Sequence, residues 1–137
     1  MHTKIPFLVV FFLSILQIIV YAVLSYEEFD EILTVNTDKV VEIEISDLFN
    51  QIHSTKDPEQ IENILAYFNE FEYQRLLDDQ TAYMPMNTMM INMYDGEQHD
   101  FIIPYGNEVL VSHKIYRIQN GPIEEDVLLD MMPSSDR

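Results

Sequence analysis

Asp57-Pro58-Glu59-Gln60-Ile61-Glu62-Asn63-Ile64-Leu65-Ala66-Tyr67-Phe68-Asn69-Glu70-Phe71 is the stretch that decides the fold. Asp57 reads as an N-cap carboxylate. Pro58 follows at the first helical position, where a missing N–H costs nothing, and Gln60 stands third, a capping-box arrangement. Ile61, Ile64, Leu65 and Phe68, with Phe71 beyond them, make one apolar stripe at helical spacing. A helix apolar along one stripe needs a surface to cover, and the flanking sequence reads as a sheet.

Upstream, Lys39 to Ile45 alternates, with Val41, Ile43 and Ile45 on one face and Glu42 and Glu44 on the other, the period of a half-buried strand. Thr34 to Asp38 reads as a linker before it. Downstream, Met86 to Tyr94 is expected as the second strand, and Asp95-Gly96 is a hairpin signal leading into Asp100 to Ile103. Pro104-Tyr105-Gly106-Asn107 marks another turn. Val109 to Ile118 reads as one long strand whose pattern is interrupted near His113, and Asn120-Gly121-Pro122 ends it. Ile123, Val127, Leu128 and Met131 suit a short closing helix.

Further upstream, Ile5 to Leu24 contains no charged residue. As a helix rising ~1.5 Å per residue it would match a bilayer's ~30 Å hydrocarbon core. Ile5, Phe7, Phe11, Phe12, Ile15, Ile18, Ile19, Val20 and Leu24 are the side chains expected to face lipid. Lys4 precedes the segment, whereas Glu27, Glu28, Asp30 and Glu31 follow it, a bias that places the N-terminus inside and the rest of the chain outside. Small residues at Ala22 and Ser25 offer signal peptidase a cut, which would make the protein secreted. The length of the apolar run favours a retained anchor over a cleaved signal peptide. Ser25 to Leu33 carries Tyr26, Phe29, Ile32 and Leu33 at helical spacing, as an extension of the anchor or a juxtamembrane helix.

The fold class expected from these signals is α+β, an N-terminal transmembrane helix followed by a small antiparallel sheet with one main helix packed on it. The divisions are a cytoplasmic N-terminus at 1–4, an anchor or signal sequence at 5–24 and a juxtamembrane segment and linker at 25–38. An extracytoplasmic domain at 39–132 and a tail at 133–137 follow. The succession Val41-Glu42-Ile43-Glu44-Ile45, Asp57-Pro58-Glu59-Gln60-Ile61-Glu62-Asn63-Ile64-Leu65, Ile91-Asn92-Met93-Tyr94-Asp95-Gly96 and Lys114-Ile115-Tyr116-Arg117-Ile118 resembles small, uncharacterised, membrane-anchored outer domains of Gram-positive bacteria. That resemblance implies a location and an architecture and carries no known activity or site residue.

Composition narrows the chemistry. The chain has 137 residues and a net charge of −17, and after Ser25 six basic residues face 24 acidic ones, 6 − 24 = −18. No basic cluster is available to displace counterions from a phosphate backbone, so nucleic acid is not a partner. With no cysteine, disulfides, thiolate metal sites and a Cys nucleophile are excluded.

Met84, Met86, Met89, Met90 and Met93 crowd one stretch, and thioethers are soft ligands suited to Cu(I). On a strand Met89 and Met93 would face opposite to Met84, Met86 and Met90, which suits adaptable core packing better. Asp95, Glu97, His99 and Asp100 at a hairpin tip could gather a divalent cation, although the ligand spacing of an EF-hand loop is missing. Asp78 with Asp79, or Glu124 with Asp126, are the carboxylate pairs a hydrolase would draw on, and nothing in the sequence marks them as buried. His2, His53, His99 and His113 lie beside no nucleophile motif. Tyr67, Tyr73, Tyr83, Tyr94, Tyr105 and Tyr116 exceed what a small core buries, so some are expected at a partner surface. The function expected is a noncatalytic, membrane-tethered extracytoplasmic interaction domain without a cofactor, its partners being the membrane and another envelope protein. An extracytoplasmic Cu(I) or divalent-cation module, then a small secreted hydrolase, are the alternatives.

Overall fold

The computed structural model describes residues 4–24, 26–76 and 88–133. Its centre is a seven-stranded antiparallel sheet built from β1 (Glu42–Ser46), β2 (Ile52–Thr55), β3 (Glu72–Arg75), β4 (Met90–Tyr94), β5 (His99–Tyr105), β6 (Glu108–Val111) and β7 (Lys114–Gln119). The strands lie in the order β2-β1-β4-β5-β6-β7-β3. The helices are α1 (Lys4–Leu24), α2 (Phe29–Ile32), α3 (Pro58–Phe68) and α4 (Glu125–Asp130).

Register sorts the side chains. Ile45, Ile91, Ile102 and Val111 are successive partners across four strands, and Val109 with Tyr116 and Ile118 with Tyr73 continue the buried face. Because opposite residues in an antiparallel pair share a face, this row makes one continuous apolar surface. Onto it pack Ile61, Ile64 and Phe68 of α3, Phe29 of α2, and Leu128 of α4. The helix start is built as its residues dictate, with Asp57 accepting from the Gln60 N–H at 3.1 Å. The reciprocal half of a capping box is replaced, since the Asp57 N–H donates to the Thr55 hydroxyl at 3.1 Å and that hydroxyl donates to the Gln60 side chain.

Aromatic stacking ties α2 and α3 together. The Phe29 and Phe68 rings lie 4.6 Å apart and nearly parallel, and Tyr73 donates its hydroxyl to the Phe68 carbonyl at 2.7 Å. Burial raises the Tyr73 phenol well above its ordinary range.

The linker expected at Thr34 to Asp38 is instead pinned to the sheet. Asp100, 1% exposed, takes the N–H groups of Thr34 and Val35 on one carboxylate oxygen, both at 2.7 Å, and the Ser112 hydroxyl on the other at 2.7 Å. The Asn36 N–H reaches Asp95 at 2.9 Å. The long strand expected over Val109 to Ile118 is two strands, β6 and β7, joined at Ser112 and His113, with Ser112 at φ 56°. β2 and β3 were not expected at all; both are short, polar edge strands.

The N-terminal reading requires correction. α1 forms over Lys4–Leu24. Among the described residues no helix is long and apolar enough to cross a membrane. That finding overturns the N-terminal transmembrane helix, the membrane as a single-span partner and the single-pass address. Of the side chains expected to face lipid, Phe11, Phe12, Ile15 and Ile18 are exposed, and those of Ile5, Phe7, Ile19, Val20 and Leu24 lie outside the described ones.

Candidate functional site

The methionines do not assemble. Met89 and Met93 are buried in the core, and Met90 is 36% exposed on the opposite face of β4. Met84 and Met86 lie outside the described residues, as do Asp78, Asp79, Tyr83 and His2.

Of the acids at the β4–β5 turn, Asp95 and Asp100 are committed to backbone N–H groups, and Glu97 is exposed. Asp95 accepts from Glu97 and Gln98 N–H groups at 2.8 and 2.6 Å, and the Asn36 N–H is the foremost of the bonds holding its carboxyl below the ordinary range. His99 stacks on Tyr94 at 4.6 Å with its Nε2 2.8 Å from Asn92, on the face away from Asp100. Among the described residues no group of three or more His, Asp or Glu side chains is placed to hold a metal. Glu124, the N-cap of α4, and Asp126 in its first turn are exposed, and His113 sits edge-on to Phe101.

A cleft of about 530 Å³ lies between the 26–30 segment and the end of α3. Glu27, Glu28, Asp30, Glu70 and Glu72 line it and Tyr26 and Phe71 form part of its wall. Like charges without a buried acid or a neighbouring base give it no general-acid machinery.

Of the tyrosines, Tyr73 and Tyr116 are buried, Tyr67 and Tyr94 are half-buried, and Tyr105 is 54% exposed. Tyr67 accepts the Glu124 N–H at 3.0 Å. Among the described residues the aromatic displayed most fully is one that the sequence reading passed over. Phe49, in the turn from β1 to β2, is 83% exposed, with Leu48 at 44% and Ile52 at 65% beside it.

This turn is built to hold that display. Asp47, itself buried, accepts the N–H groups of Phe49 and Gln51 on one oxygen at 2.8 and 2.9 Å, and its other oxygen is 3.0 Å from His53 Nε2. The Asp47 N–H donates to Gln51 and the Asn50 N–H to the Asp47 carbonyl, at 2.9 and 3.0 Å, with Asn50 in the left-handed region at φ 64°. Asn tolerates that conformation better than most residues. The Leu48 N–H is taken by Glu125 of α4 at 3.0 Å. Asp47 and His53 stand six positions apart on opposite arms of the hairpin, so only knowledge of β2 could have paired them.

The His53 side chain is the first cause that lowers the Asp47 carboxyl below its ordinary 3.8, followed among the lowering causes by the Gln51 and Phe49 N–H groups. A depressed folded value means that the stabilisation is complete above that ordinary value and is lost as pH falls through the folded one. Acid titration followed at the Phe49 amide proton should therefore show the turn intact down to pH 3.8 and loosening below it. In His53→Ala the midpoint should move upward; an unmoved midpoint would remove His53 from the lock.

Comparison with known proteins returned no matching family model, no matching curated protein and no matching solved structure.

Proposed function

We propose that this chain is a noncatalytic interaction domain that holds another protein through the β1–β2 hairpin. The observation that carries the reading is Phe49, 83% exposed on a turn whose bends are fixed by Asp47, Asn50, His53 and Glu125. An exposed aromatic is hydrophobic area waiting to be covered, and aromatic anchors contribute disproportionately to binding. A turn already held in one shape loses little conformational entropy when a partner closes over it, which raises affinity without added contacts.

Photo-crosslinking tests this directly. Benzoylphenylalanine at position 49 should give a discrete crosslinked species in native cells, and the same probe at Tyr105, an exposed aromatic on a different turn, should not. Equal yields at the two positions would sink the proposal.

A further inference from the structure

The two edges of the sheet are finished differently. β3 is closed: the Glu27 N–H donates to the Tyr73 carbonyl at 2.7 Å and the Tyr73 N–H donates to the Glu27 carbonyl at 3.1 Å. It also carries Glu72 and Arg75, charges of the kind that discourage strand addition. Among the described residues β2 has neither protection. Its residues are Ile52, His53, Ser54 and Thr55, none charged apart from a histidine engaged with Asp47.

Register fixes which groups of β2 face outward. Asp47 is bonded to Gln51, so the hydrogen-bonded positions continue at Ile45 with His53 and Ile43 with Thr55. Ile52 and Ser54 therefore turn their N–H and C=O groups away from β1. Both side chains are exposed, and both lie on the sheet face opposite α3, where Ser54 is the cross-strand partner of Glu44. Glu42 lies two residues along the same face, and neither glutamate has a cation partner among the described residues.

Resting on the interaction reading above, we infer that β2 receives an added strand: an extended segment of a partner protein with an apolar residue beside Ile52 and Phe49 and a Lys or Arg two positions away. That basic side chain would pass over Ser54, which is small, to Glu44 on the next strand, ~10 Å from the added backbone at two strand spacings. Main-chain bonds to residues 52 and 54 supply affinity, and the alternating side chains supply choice of partner. A second copy of the chain fits less well, because it brings the same excess of negative charge to the edge.

The test uses the full chain and a fluorescent, end-capped peptide of about eight alternating lysines and valines, long enough to span a typical strand. Fluorescence anisotropy should show binding that weakens with salt. A glutamate–valine peptide should bind at least about tenfold more weakly, and a lysine–valine peptide methylated on alternate amides should not bind. Ser54→Pro removes an outward N–H at an edge, where proline is tolerated, and should reduce affinity at least about tenfold. Glu44→Gln should weaken it about threefold and flatten the salt dependence.

Absence of lysine–valine binding, or equal binding of the methylated peptide, overturns strand addition. The methylated peptide acts on the unaltered protein, so that arm holds even if Ser54→Pro fails to fold. Persistent crosslinking at position 49 alongside no peptide binding overturns strand addition while leaving the interaction reading intact. A dimer in sedimentation that Ser54→Pro abolishes, with no peptide binding, reassigns the edge to self-pairing and overturns the basic partner.

Discussion

Asp100→Ala should lower the unfolding free energy by about 3–5 kcal/mol in urea denaturation, because it removes a carboxylate 1% exposed, strands the buried N–H of Val35 and takes the acceptor from the Thr34 N–H and the Ser112 hydroxyl. A hydrogen bond to a charged group contributes more than a neutral one, and a buried donor left without its acceptor costs the full desolvation penalty. Asp100→Asn keeps the shape and one carbonyl acceptor, and the Ser112 hydroxyl can rotate to accept from the new amide, so its loss should be about 1–2 kcal/mol. An alanine variant within about 1 kcal/mol of the parent would show that the 34–35 segment does not depend on this carboxylate.

The other large effect lies in the core. Phe68→Ala should cost about 3–5 kcal/mol by the same measurement, since it removes a fully buried ring and leaves a cavity beneath Phe29, its stacking partner at 4.6 Å. Phe68→Leu should lose about 1–1.5 kcal/mol, as the volume is largely kept. The loss has a local reporter. With Phe29 loosened, the neighbouring 27–28 segment should release β3, and the Tyr73 amide, bonded to the Glu27 carbonyl, should exchange with solvent faster. Unchanged exchange at Tyr73 would uncouple the aromatic stack from the closed edge.

The parts of this fold legible in the sequence are those where local chemistry and global packing agree. Asp57-Pro58 starts α3 where its side chains require, and Asp95-Gly96 turns β4 into β5 with Gly96 at φ 96°. The break between β6 and β7 was hidden because Ser112-His113 carries no glycine, proline or asparagine. The left-handed Ser112 is held by its hydroxyl on Asp100, twelve residues earlier. β3 was hidden because Glu72-Tyr73-Gln74-Arg75 has one core-facing apolar residue, and β2 because Ile52-His53-Ser54-Thr55 is an edge with little burial to pattern it.

The site was less legible for a related reason. The aromatic count points to tyrosines, whereas Phe49 is the ring most exposed among the described residues. A phenylalanine reads as core until the turn that displays it is known, and that turn depends on an Asp47–His53 pair created by hairpin register.

The unequal finish of the two sheet edges also sets a valence. A sheet open on both sides can add copies of itself without limit, which is the geometry of a growing fibril. Here, among the described residues, Glu27 occupies the outward backbone groups of Tyr73 on β3, so a copy adding through β2 presents a capped strand at its far side. A complex formed this way would stop at one partner to the extent that the pair of backbone hydrogen bonds at Tyr73 caps the far edge.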